Sequence, residues 1–123
     1  TQIRFAIDQV VTALKRLGAS ELAADDSEIA SFAEAHTRIA AVQALVAETD
    51  PATWPASADV VEFDLPNGMG FRMQAHEYCR DWAIPQLYFH VMAAYAILLA
   101  EGLAVGKADY VGYMMKYLKQ PVA

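Results

Sequence analysis

From Trp82 to Ala100 the chain carries no Asp, Glu, Lys or Arg, and this stretch limits the folds open to it more than any other feature. A helix this long and apolar either crosses a bilayer or is covered by the other helices of a bundle. Pro85, Gln86 and His90 interrupt it. Polar side chains facing lipid are costly, so the sequence predicts a bundle helix and no membrane span.

Covering such a helix takes apolar partners, and the composition supplies them. The 123 residues are 56% hydrophobic and 20% charged, which suits one helical domain over residues 1–123 and is too short for two. Net charge is −6, and of the nine Lys and Arg only Lys15 and Arg16 are adjacent. A phosphate backbone demands clustered cations, so nucleic acid is excluded as a partner. The single cysteine, Cys79, has no internal partner for a disulfide, and residues 1–18 do not form the continuous apolar stretch of a signal peptide. Both point to a cytoplasmic protein.

Periodicity places the other elements. Ile3, Ile7, Val10, Val11, Leu14 and Leu17 recur at helical spacing over Thr1–Leu17, with Gly18 as the residue just past the end. The start is uncapped and already in helical register, which predicts that the numbering opens inside a longer protein. After a linker over Ala19–Ala24, Asp25 with Glu28 has the form of a capping box and predicts the start of a second helix there. Its stripe runs through Phe32, Ala35, Ile39, Val42 and Val46 and ends at Asp50-Pro51. Beyond a loop over residues 51–58 the period changes to two. Val61, Phe63 and Leu65 alternate with Glu62 and Asp64, Pro66-Asn67-Gly68 supplies a turn, and Phe71 and Met73 flank Arg72. This predicts a β-hairpin with Arg72 opposite Glu62 or Asp64. A long helix follows over Ala75–Glu101, kinked or restarted at Pro85 and ended by Gly102, and then a short one over Ala108–Lys119.

The candidate site centres on His90, which lies among Leu87, Tyr88, Phe89, Val91 and Met92. A buried imidazole needs partners, and leaving one unpaired costs about 1–3 kcal/mol. Tyr95 and Asp8 are the expected partners, giving a polar cluster of Asp8, His90 and Tyr95. His76-Glu77 lacks the second histidine of a zinc-protease helix, because Arg80 stands at that position. His36 lies beside the second-helix stripe without a ligand-spaced companion. Cys79 reads as a packed thiol, although Arg80 beside it would favour a thiolate. Phosphate loops, nucleophile elbows and spaced metal ligands are missing from the sequence, so no metal and no cofactor is predicted.

Ile84-Pro85-Gln86-Leu87-Tyr88-Phe89-His90-Val91, Ala94-Tyr95-Ala96-Ile97-Leu98, Gly102, and Gly106-Lys107-Ala108-Asp109-Tyr110-Val111-Gly112 resemble domain-of-unknown-function family 1993, within the DinB/YfiT-like superfamily. Gln2-Ile3 with Asp8, and Asp50-Pro51-Ala52, extend the resemblance over nearly the whole chain. It implies a mainly α, up-down four-helix bundle with a small β-hairpin before the last long helix, and a first bundle helix upstream of Thr1. The face thus left open would be covered by upstream residues, a swapped segment or another subunit. In better-known relatives three histidines hold a divalent metal, one on the second bundle helix and an HxxxH pair on the last. Here Ala94 follows His90 at that spacing and Thr1–Leu17 has no histidine. His90, set among apolar neighbours with no ligand-spaced partner, points instead to a non-catalytic or small-ligand-binding domain that is dimeric. The competing expectation is a divergent metal- or acid/base-dependent enzyme acting on a thiol or another small molecule, with His90 central and Asp8 assisting.

Overall fold

The computed structural model describes residues 1–119. Helix α1 spans Gln2–Arg16 and ends as its glycine demands. Gly18 adopts φ +68, and its N–H and that of Ala19 return to the carbonyls of Lys15 and Leu14 at 3.0 and 2.9 Å. These two bonds close a Schellman motif.

Helix α2 spans Phe32–Glu48, so the expected start at Asp25 is corrected by seven residues (32 against 25). Residues 25–31 instead spend their polar side chains on a loop. Asp25 accepts the N–H of Ser27 at 3.0 Å, while Arg38 reaches back to the Ser27 carbonyl and hydroxyl at 3.2 and 2.6 Å. Such local bonds offer the backbone an alternative to helix. Ser31 is the true cap, accepting the Glu34 N–H at 3.1 Å, and Glu34 in turn accepts the Ala30 N–H at 2.9 Å. Past α2, Asp50 caps a 3₁₀ turn over Pro51–Thr53 inside the expected loop.

Strands β1 (Val60–Asp64) and β2 (Gly70–Gln74) pair antiparallel with Glu62 opposite Arg72. The pair is joined by a 2.8 Å ion pair, as its register predicts. Gly68 turns the chain at φ +85, a conformation that only glycine adopts at little cost.

The long helix then begins as α3 (Ala75–Glu77), widens into a π turn over Tyr78–Ala83, and resumes as α4 (Ile84–Ala100). In the wide turn the Ile84 N–H reaches the Cys79 carbonyl, five residues back. Proline has no N–H to give and its ring crowds the preceding turn, so the restart at Pro85 is absorbed by this local widening. Gly102, at φ +85, ends α4 with a second Schellman pair, from Gly102 and Leu103 to Leu99 and Leu98 at 3.1 Å each. The expected final helix over Ala108–Lys119 is corrected to α5 (Lys107–Tyr110) followed by a 3₁₀ segment, Gly112–Tyr117. Gly112 lowers helix propensity there, and Tyr113, Met115, Tyr117 and Leu118 stay exposed without packing to extend the helix.

The core sits at one end of the molecule. Leu17 from α1, Val61 and Phe63 from β1, Ala75 and Tyr78 form its buried centre, with Phe71, Met73 and Trp82 packed around it. Phe63 stacks on Phe71 at 5.4 Å and meets Trp82 at 5.1 Å, and the Arg16 guanidinium lies 3.8 Å from its ring centre. That cation over an aromatic face locks the end of α1 onto the hairpin. At the other end the packing opens. No residue of α4 is fully buried, although Ala75–Ala100, as one 26-residue helix, is long and apolar enough by composition to cross a membrane.

Candidate functional site

Three helices frame a cleft of about 540 Å³. Ile3, Ile7 and Val10 of α1, Ile39 and Val42 of α2, and Leu87, Val91, Ala94 and Leu98 of α4 line its walls. Tyr95, Gln43, Asp109 and Tyr110 supply its polar groups. The volume falls within the range of small-molecule pockets, which are mostly apolar with a few polar groups that fix orientation. Tyr95 donates to the Val105 carbonyl at 3.4 Å and its ring meets Tyr110 edge-on at 6.4 Å, so the segment after α4 is tied back to α4 and forms part of the cleft wall.

The structure does not bring Asp8, His90 and Tyr95 together; each has a different partner. His90 Nδ1 lies 2.8 Å from Gln2 Oε1, and its ring packs on Phe5 and Phe89 at 5.2 Å each. Asp8 pairs with Arg4 at 3.1 Å. The reason is helical geometry. Gln2 and Asp8 are six residues apart on α1, which at 3.6 residues per turn puts them about 120° apart, so both cannot face α4. His90 and Tyr95, five apart, diverge by about 140° on α4. Gln2 is the partner that sequence reasoning missed; facing positions on α1 and α4 could have found it once their antiparallel pairing was known.

Asp8 lies within the field of the Asp25–Arg38 ion pair, which joins the loop before α2 to α2 itself. Its Oδ1 is buried without a hydrogen-bond partner. Burial pushes its carboxyl above the usual carboxylate range, opposed by Arg4, with Asp25 adding to the rise and Arg38 opposing it. A folded-state pKa above the unfolded value means that stability from this group is present at low pH and is lost as pH rises through the folded pKa. Asp8→Asn removes that loss. Its stability relative to the parent chain should therefore improve as the pH rises from about 3 to about 7, read from urea unfolding at each pH. An unchanged difference between the two variants at both pH values would contradict this.

The other candidates lie apart from the cleft. His36 is exposed, and His76 is exposed beside the hairpin with Nδ1 2.9 Å from the Ser57 carbonyl. Glu77 accepts the Gln74 N–H at 2.9 Å as a helix cap. The Cys79 thiol is pushed up by burial, which keeps it protonated. No three His, Cys, Asp or Glu side chains converge among the described residues. The three-histidine metal arrangement of the wider superfamily does not fit this donor set, since Gln2 rather than a histidine faces His90 from α1.

A family model for a domain of unknown function, DUF1993, matches residues 1–111. The chain belongs to the DUF1993 family. A crystal structure of a DinB family member protein from Shewanella denitrificans is similar to it, with 31% identity and a TM-score of 0.72. That alignment covers 99% of this chain and 66% of the other, so this DUF1993 chain spans just under two thirds of its neighbour's length. The fold is thus mainly α and DinB-like, with the hairpin set before the last long helix. No curated protein matches the chain.

Proposed function

We propose that this DUF1993 chain is a non-catalytic, cytoplasmic domain that holds a small apolar ligand in the cleft between α1, α2 and α4 and acts as a homodimer. The observation that carries the reading is the cleft itself. It is walled mainly by aliphatic side chains from three helices with only a few hydrogen-bonding groups among them, the composition of a pocket built for a mostly apolar ligand. The polar chemistry nearby argues for binding over turnover. Asp8 is paired with Arg4, the Tyr95 hydroxyl is given to the Val105 carbonyl, and burial disfavours a thiolate at Cys79. The long apolar helix reads as a bundle helix and not a membrane span. It packs on α1, which brings Arg4 and Asp8 with it, and it hydrogen-bonds to Gln2 from its own midpoint.

Nile red, a neutral fluorescent probe, tests the cleft directly. The parent chain should bind it with enhanced emission. Ala94→Trp places an indole in the cleft and should weaken binding at least tenfold, roughly 1.4 kcal/mol, with helicity by circular dichroism unchanged. A parent chain that does not bind the probe, or a variant that binds it equally well, would defeat the proposal.

A further inference from the structure

We propose that Gln2 and His90 form a proton-accepting pair, separate from the cleft, that takes an O–H or N–H group of a small molecule at His90 Nε2. Neither residue lines the cleft. A carboxamide oxygen only accepts hydrogen bonds, so at 2.8 Å from Gln2 Oε1 the His90 Nδ1 must carry the hydrogen and donate it. In a neutral imidazole that leaves the lone pair on Nε2. Nε2 has no protein partner among the described residues, and since Asp8 Oδ1, on another side of α1, is the one buried side-chain atom left unpaired among them, Nε2 keeps access to solvent.

The ring is also held in place. Phe5 tilts against one part of it at 38° and Phe89 meets it edge-on at 82°. An imidazole fixed by an acceptor at one nitrogen and open at the other is set to accept a ligand's hydrogen bond at Nε2, with Gln2 as the positioning residue. If the bound O–H gives up its proton, the proton goes to Nε2. Nδ1–H remains donated to Gln2, and the negative charge stays on the ligand oxygen. Gln2 can serve either form of the ring, since both present Nδ1–H.

Nitrogen-15 NMR of the full chain reads the tautomer directly. His90 should be in the Nδ1–H form, while exposed His36 shows the Nε2–H form that free imidazole side chains favour. Gln2→Ala should shift the His90 tautomer ratio by roughly fivefold toward Nε2–H, the effect of losing one ordinary hydrogen bond. Gln2→Glu, which keeps an acceptor, should restore the parent form. Phenol, titrated as a small O–H donor, should move the His90 Nε2 resonance in the parent chain further than that of His36. An Nε2–H tautomer at His90 in the parent chain would overturn the proposal, as would a phenol response no larger than that of His36. Because Nile red reports on the cleft and phenol on His90, either reading can fail while the other stands.

Discussion

Tyr78→Ala is expected to lower the free energy of unfolding by about 3–5 kcal/mol, enough to unfold a marginal domain. Tyr78 is 1% exposed, the lowest value in the core. Its ring takes the edge-on contact of Phe63 at 5.6 Å and lies 5.9 Å from the Arg16 guanidinium. It therefore joins three elements at once: the end of α1, the hairpin, and the π turn that leads into α4. Truncation removes about forty or more dispersion contacts and leaves a void that the hairpin cannot close without losing its register. Tyr78→Phe keeps the ring and should cost only about 1 kcal/mol. Urea denaturation followed by circular dichroism gives both values. A loss under about 1.5 kcal/mol for Tyr78→Ala would mean that the hairpin end does not hold the fold together.

That core was only partly visible in the sequence. Alternation at Val61, Phe63, Phe71 and Met73 marked the hairpin and its inward face, and the structure pairs Glu62 with Arg72 in that register. Tyr78 gave no signal of its own, because its burial depends on the wide turn before Pro85. Sequence placed a break at the proline but not the turn that absorbs it. The start of α2 was misplaced for a related reason. Asp25 and Glu28 have the spacing of a capping box, yet a cap works only if the following residues have a face to bury, and the apolar stripe begins at Phe32. The C-terminal segment failed in the same way. Its helical pattern over Ala108–Lys119 found nothing to pack against, and short helices without packing are marginal in water.

Of the proposed polar cluster, the sequence marks His90 but not what it touches. His90 stands out as a polar residue in an apolar run, and its Nδ1 lies 2.8 Å from Gln2 Oε1 on another helix. Its partner could not be read from proximity in sequence. Eighty-eight residues separate Gln2 from His90, and only the packing of α1 on α4 brings them together. The angles already excluded Tyr95, since residues five apart on one helix face different ways. The cleft is legible only in part. The stripes of three helices predict apolar faces, but whether those faces meet or leave space between them is set by their separation, which periodicity does not encode.

Met92→Asp is expected to turn the proposed dimer into a monomer. On α4 the side away from α1 presents Pro85, Tyr88, Met92, Ala96 and Leu99 as one stripe, and Tyr88, Met92 and Leu99 are 52%, 44% and 50% exposed. An uncharged face of this size suits contact with a second copy of itself, since two copies of a neutral stripe meet with no like charges opposed. Met92 lies near the middle of the stripe, so in a two-fold contact each copy meets its mate close to the axis. A carboxylate there would be desolvated without a partner and would face its own copy. The expected cost is about 2–5 kcal/mol, a weakening of roughly thirty- to several-thousand-fold. Thr37→Asp, a new carboxylate at an exposed position of α2, controls for net charge and should leave the dimer intact. Sedimentation velocity over a concentration series distinguishes the outcomes. A parent chain that sediments as a monomer throughout, or a Met92→Asp variant that stays dimeric, would remove α4 as the contact surface.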